Sequence, residues 1–335
     1  MTGQKIYHIV WLRTVAIIVV VLGHSIILYS SDWSIFTTKY DLIYLDIIKK
    51  IINFFQMPLF FSISGYLANW STEFSFKKLV IKKAKRLLIP YMFCALLWML
   101  PIRYLIDYQS QFGNSIGDWE TLYKIIILGN DNGHLWYLPT LFLCFICHFL
   151  VEQVEKKYKK FNLNIVLGLI SSLFYIVPLA VFPISYVNSF FQYYCWFVFG
   201  MWMAFRRNRI VQLNGKISLT ITFAITIIAL VVKTGIITSV MRYICGMSWL
   251  FFFYSFDIKK VNKVIVDIEE NSFGIYLFHS PLVYITYTYF NNSNPILVIS
   301  LNFFLCGGIA YLLTLVIRRT KARLLLGENI KTKGV

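Results

Sequence analysis

Ile6-Tyr-His-Ile-Val-Trp-Leu-Arg13-Thr-Val-Ala-Ile-Ile-Val-Val-Val-Leu-Gly-His24-Ser-Ile-Ile-Leu-Tyr29 opens the chain with an apolar run carrying an Arg in one half and a His in the other. At about 1.5 Å per residue, a helix of this length crosses the roughly 30 Å hydrocarbon layer of a bilayer. Comparable runs recur along the whole sequence. They predict spans at 6–29, 46–68, 87–106, 134–151, 165–182, 187–205, 217–232, 236–256, 272–289 and 296–317. Composition agrees. Hydrophobic residues make up 58% of the 335 and charged residues 14%, against about 45–50% and about 25% in soluble domains. Within lipid every backbone amide needs a partner, so the spans are helices. A membrane barrel would alternate polar and apolar residues, and these runs do not. The expectation is an all-α polytopic membrane protein of about ten transmembrane helices, forming one integral-membrane domain over 1–335 with a short basic tail from 318.

The net charge of +17 has a place in this topology. Lys5 and the segments 77–86, 156–160, 206–216, 259–263 and 318–333 hold 24 of the 32 Lys and Arg residues. These segments are the N-terminus, the even-numbered connections and the C-terminus. Lys39, Lys49, Lys50, Arg103, Lys124 and Lys233 fall on the opposite side. The positive-inside bias puts both termini in the cytoplasm. Topology thus explains the charge, and nucleic acid is not expected as a partner. Arg13 interrupts the first run and no small-x-small cleavage site follows it, so it reads as a retained helix rather than a signal peptide. The outer connection 107–132 mixes Gln, Asn, Asp and Gly with Tyr108 and Trp119. That mixture suits a carbohydrate-facing loop or an ordinary solvated one. The glycosylation triplet at 69–71 falls on the cytoplasmic side and should go unused.

Ionisable residues inside spans are costly, so each is a candidate for function. Arg13 and His24 are eleven residues apart, close to three turns, which puts them on one stripe about 16 Å apart along the helix. Alone, Arg13 could snorkel to the surface and His24 could be a bonded helix-end residue; the alignment of the two argues for function. His279 lies about mid-depth in the ninth span, two residues before Pro281, which should kink the helix and free a carbonyl to line a cavity. His134, Trp136 and Tyr137 open the fourth span, where the rings could stack a sugar or belong to an interfacial belt. Arg242 is an intramembrane candidate without a named partner. Ser62 and Ser64 read as packing residues beside Gly65. The six cysteines lie in spans and behave as small hydrophobes. Cys144-Phe-Ile-Cys147-His148 matches a haem-attachment pattern but sits in an apolar helix, and no metal site is expected.

Several segments together resemble the membrane-bound acyltransferase family 3, whose members O-acylate surface glycans. They are Arg13-x10-His24, the stretch Asn53-Phe-Phe-Gln-Met-Pro-Leu-Phe-Phe-Ser-Ile-Ser-Gly65, Lys83-Ala-Lys-Arg-Leu-Leu-Ile-Pro-Tyr91, Gly133-His-Leu-Trp-Tyr-Leu-Pro-Thr-Leu141 and Ser272-Phe-Gly-Ile-Tyr-Leu-Phe-His-Ser-Pro281. The resemblance runs from residue 6 to about 317, without the soluble esterase-like domain that some members carry. Gln56 stands where members often have His, so Gln56 is not expected to do acid–base work. The resemblance implies an O-acyltransferase with acetyl-coenzyme A, or another acyl-coenzyme A, as donor and a cell-surface or lipid-linked glycan as acceptor. It implies a multi-pass protein of a bacterial-type cell membrane, in a polysaccharide-synthesis complex or as a homo-oligomer. A sugar hydroxyl needs a base, and His titrates near the working pH; His24 fits that role, with Arg13 towards the donor and His279 shaping the site. Coenzyme A is cytoplasmic, so Lys82, Lys83, Lys85, Arg86, Arg206 and Arg207 are placed to meet its phosphates, and Arg13 to meet its pantetheine arm or a phosphate. His134, Trp136, Tyr137 and Arg242 are placed to meet the acceptor. The rival reading is a transporter or flippase of glycan or acyl groups, although no repeated halves are visible.

Overall fold

A computed structural model describes residues 6–69, 75–108, 113, 117–158, 162–211 and 215–328. The loop position Asn114, most of the triplet at 69–71 and the basic tail beyond Glu328 lie outside the described residues. The described residues are helical and contain no strand. Ten long rods occur at the ten expected places. They are α1 (Tyr7–Ser25), α2 (Ile43–Ala68), α3 (Phe76–Leu105), α5 (Gly133–Tyr158), α6 (Leu163–Ile176), α7 (Ser185–Ile210), α8 (Gly215–Val231), α9 (Gly235–Tyr254), α10 (Lys263–Phe290) and α11 (Pro295–Arg319). The short α4 (Trp119–Ile126) lies in the long connection before α5. Six rods, α1, α2, α3, α5, α9 and α11, are long and apolar enough to cross a membrane. α6 and α8 are shorter apolar helices, and α7 and α10 are long but more polar. Exposed Leu97, Leu169, Leu173, Ile227, Leu312 and Val316 belong to an apolar outer surface suited to lipid.

Hydropathy misplaced some helix ends. α3 starts at Phe76, eleven residues before the expected 87, so the basic stretch from Lys77 to Arg86 is helical and not a connection. α10 starts at Lys263, taking Glu269 and Glu270 into the helix. Lys49 and Lys50 stand in α2, and Arg103 in α3. A helix continues as long as its backbone amides have partners, and that can outlast the apolar run.

α1 is the central helix: it packs on α2, α10 and α11. α2 packs against α7 and α9, α5 against α7 and α3. α2 and α7 meet at Gly65 and Gly200, where a Cβ at either position would overlap a carbonyl oxygen of the other helix, at Phe197 or Ser62. Small residues let backbones approach, which in lipid is a main source of helix association. Gly200→Ala should therefore cost at least the about 1–3 kcal/mol typical of overpacking. Gly308→Ala, where a Cβ meets nothing within 4 Å, should be near neutral. Thermal melts of the two variants in detergent check this; equal melting points would remove the crossing as a determinant of stability.

Two irregular turns sit beside prolines. α3 contains two π-helical turns, Ala84–Leu88 and Ala95–Met99, each followed two residues later by a proline, Pro90 and Pro101. α11 contains a third, Leu301–Cys306. Such turns absorb backbone mismatches and recur at functional sites.

Candidate active site

Pro281 lies inside α10 and has no N–H for the carbonyl of Leu277, four residues earlier. That carbonyl turns to side chains instead. His134 Nε2 donates to it at 3.0 Å, and Cys94 Sγ lies 3.1 Å away. The expected freed carbonyl therefore has an identity, and it anchors the ring of His134 from a different helix. Tyr276 adds a bond from its hydroxyl to the His134 carbonyl. Gly133, with φ +58°, makes the turn into α5. A side chain there would meet the Arg103 guanidinium at 3.1 Å and the Tyr284 hydroxyl at 3.3 Å.

His24, His134 and His279 converge, although 110 and 145 residues separate them in sequence. His24 Nδ1 and His279 Nε2 are 2.7 Å apart. The rings of His24 and His279 stack at 5.0 Å, and His134 lies edge-on to both at 6.3 and 5.6 Å. The hydrogen bonds assign the neutral tautomers, because a backbone carbonyl only accepts. His279 Nδ1 faces the Ile275 carbonyl at 2.7 Å and must carry a proton there. Its Nε2 is then an acceptor, so His24 Nδ1 carries the proton between the rings. That leaves His24 Nε2 with a free lone pair. By the same logic His134 Nδ1 is a bare acceptor, and it is buried without a partner. Tyr287 fixes the backbone beside this group, its hydroxyl donating to the His24 carbonyl at 2.5 Å. The three rings do not form a metal cluster: among the described residues none was found.

Two outer cavities are lined by His24 and His134, and an inner one lies nearby. Taking the end with Arg86, Arg207 and Arg318 as inner, by the charge rule, the largest, about 690 Å³, opens outward and is lined by His24, Asn53, Gln56, His134, Trp136 and Arg242, with Tyr276 at its floor. A smaller outer cavity, about 210 Å³, also touches His24, His134 and Trp136. The inner cavity, about 460 Å³, is lined by Arg13, Lys83, Arg86, Tyr137, Tyr276 and Arg318 among others. Tyr276 lines both the inner and the large outer cavity and so forms a wall that the two share.

Arg13 faces the inner cavity, three turns from His24, and pairs with Glu269 Oε1 at 2.7 Å. Glu269 stands in the polar stretch before Ser272, outside the apolar run that predicts the ninth span, so hydropathy gives no sign of it. Of the six basic residues expected at the inner face, Lys83 and Arg86 line the inner cavity. Lys83 Nζ sits 3.2 Å from the centre of the Phe145 ring, and Arg86 donates to the Leu326 carbonyl at 2.9 Å. Lys82, Lys85, Arg206 and Arg207 do not line it. Arg207 is used elsewhere, donating to the carbonyls of Tyr254 and Phe256 at 2.6 and 2.8 Å. Arg318 and Glu328, absent from the candidates, also face this cavity, with Arg318 Nε 3.1 Å from Glu328 Oε2. Tyr137 lies on the inner side rather than beside Trp136, its hydroxyl 3.2 Å from Ser64 Oγ. Ser62 and Ser64 bond back to their own helix, at the Leu59 and Phe60 carbonyls. Gln56 donates to Asn53 Oδ1 at 2.9 Å while its Oε1 is buried without a partner. Lys49 is another unforeseen neighbour. It is 2% exposed, and its Nζ approaches Gly23, the residue before His24. In the loop after α3, burial and then the neighbouring Tyr284 push the Tyr108 phenol above its usual value, so its hydroxyl stays protonated.

A helical membrane bundle with a histidine cluster at its outer cavities and a basic inner cavity suits an enzyme or a carrier. The comparisons decide between them at the level of family. The acyltransferase domain family, acyltransferase family 3, matches residues 6–319, and the chain belongs to it. It is a membrane acyltransferase. No curated protein and no solved structure matches the chain.

Proposed function

We propose that this protein is an O-acyltransferase that moves an acetyl group from cytoplasmic acetyl-coenzyme A to a hydroxyl of a cell-surface or lipid-linked glycan. The observation that carries the reading is the bare Nε2 of His24, held by His279 at the wall of an outer cavity that shares Tyr276 with the inner cavity. The donor's phosphates would lie at the inner cavity near Lys83, Arg86 and Arg318, and its pantetheine arm would run past Arg13 towards Tyr276. The span from Arg13 to His24, about 16 Å, suits that arm.

In the transfer, His24 Nε2 takes the proton of the acceptor hydroxyl as its oxygen bonds to the thioester carbonyl carbon. The tetrahedral intermediate then breaks its C–S bond. The thiolate recovers the proton from His24, giving free coenzyme A and the acyl ester. When His24 is doubly protonated, its Nδ1–H remains bonded to His279 Nε2, and the His279 Nδ1–H to the Ile275 carbonyl, so the charge is met by fixed acceptors. His279 is a positioning residue in this scheme. Arg13, paired with Glu269, belongs to the donor side. Trp136, His134 and Arg242 face the acceptor.

Purified protein given radiolabelled acetyl-coenzyme A and deacetylated surface glycan should label the glycan. Intact donor after long incubation would instead favour transport without covalent chemistry. Replacing Lys83 and Arg86 together by Gln should raise the KM for acetyl-coenzyme A several-fold with kcat little changed, since both would meet phosphate by charge-assisted bonds. An unchanged KM in an active double variant would return both residues to topology alone.

A further inference from the structure

The small outer cavity is built differently from the other two. Trp33, Tyr108 and Tyr284 contribute aromatic faces, with Trp33 and Tyr284 stacked at 6.3 Å and Tyr108 and Tyr284 at 5.3 Å, both pairs within 29° of parallel. Arg103, completely buried, stands behind them. Its guanidinium lies 4.3 Å from the Tyr108 ring and 5.7 Å from that of Tyr284, and it donates to the Asp131 carbonyl at 2.7 Å. A cation against two ring faces holds them in place, so the aromatic wall is set before any ligand arrives.

Two polar atoms on uncharged residues of this wall have no partner. They are the Tyr108 hydroxyl, on a residue 1% exposed, and His134 Nδ1, on a residue 6% exposed. One is a protonated hydroxyl and the other, by the tautomer argued above, a bare acceptor. Buried polar atoms are nearly always bonded, and the exceptions call for an account. Aromatic rings with an unpartnered donor and acceptor in the same wall suit one chemical class well, a sugar ring with C–H faces and peripheral hydroxyls. At about 210 Å³ the space is below the roughly 300–1,000 Å³ of drug-sized sites, so it takes a single ring. His24, His134 and Trp136 line this cavity and the large outer cavity alike, which sets His24 between the two.

We propose that the small outer cavity is a second sugar subsite, so that the acceptor lies across His24 with the reacting sugar in the large cavity and its neighbour in the small one. This rests on the acyl-transfer reading and extends it: the minimum efficient acceptor is two linked sugars, and a single sugar is a poor one.

The test uses the full-length protein in detergent or nanodiscs with acetyl-coenzyme A. The probes are fragments of one, two and three sugars cut from surface glycan of cells lacking the gene. The two-sugar fragment should exceed the one-sugar fragment in kcat/KM by about tenfold or more, the effect of one added set of ring contacts. Trp33→Ala should erase most of that advantage through KM. Tyr108→Phe, which removes one oxygen and keeps the packing, should do so in part, and serves if the Trp33 variant does not fold. Equal use of one- and two-sugar fragments, or an advantage intact in both variants, overturns the subsite and leaves acyl transfer standing. Transfer to no fragment overturns the acyl-transfer reading and the subsite with it.

Discussion

His24→Gln is expected to lower glycan acetylation on the order of 10²–10⁴-fold, the contribution of a positioned general base. Gln can still donate towards His279 Nε2 and occupy much the same volume, so the ring contact at 5.0 Å is replaced rather than emptied. It cannot take a proton near neutral pH. The loss should therefore sit in kcat, with protein level, membrane insertion and the KM for acetyl-coenzyme A near those of the native protein. Arg13→Lys offers a contrast from the other end of α1. The Arg13–Glu269 contact is made through one guanidinium nitrogen at 2.7 Å, so Lys, keeping charge but not the fork, should be milder than the loss of His24. Near-native acetylation by His24→Gln would move the base elsewhere, and His134, with its bare Nδ1, would be the next residue to replace.

His279→Ala is the second large effect. His279 does not need to touch the acceptor to matter. Its Nε2 fixes the His24 proton on Nδ1 and so leaves the lone pair on Nε2. Removing the partner of a catalytic histidine in comparable arrangements costs up to about 10⁴ because the wrong tautomer becomes accessible. A loss on the order of 10²–10⁴ in kcat is expected here, with little change in donor KM. The variant carrying both His24→Gln and His279→Ala should be scarcely worse than His24→Gln alone, because residues acting as a unit are non-additive. Multiplicative losses in the double variant would assign the two histidines independent tasks. A cavity left by the Ala is a structural risk in a residue with no exposed surface, so a melting curve accompanies the kinetics.

The inner cavity shows why charge alone misleads. Six basic residues were expected there on topology and donor chemistry. The structure brings Lys83 and Arg86 to the cavity and leaves Lys82, Lys85, Arg206 and Arg207 off its lining. Lys82 and Lys83 are neighbours in sequence, but successive residues of a helix point about 100° apart. Arg207 sits one residue from Arg206 and is bonded to two carbonyls at the end of α9. Which of two adjacent lysines meets a cavity depends on the rotation of the helix against its neighbours, and the neighbours are remote in the chain.

What the sequence by itself determined is what local chemistry controls. Apolar runs of spanning length make helices wherever lipid withholds backbone partners, so the all-helical bundle and its ten rods were legible, as was the family from motifs in order. The freed carbonyl before Pro281 was legible too, since a missing N–H is a property of a single residue. The rod ends were not, because α3 and α10 run on through Lys77–Arg86 and Glu269–Glu270 after hydropathy falls. Only the tertiary structure decided the site. It brought His134 to the Leu277 carbonyl and His24 to His279, set Glu269 on Arg13, and buried Arg103 behind two tyrosines. The contacts of His134, His24 and Arg13 join helices far apart in sequence. Their azimuths and depths are set by close packing at points such as Gly65 and Gly200, which no periodicity within one span can encode.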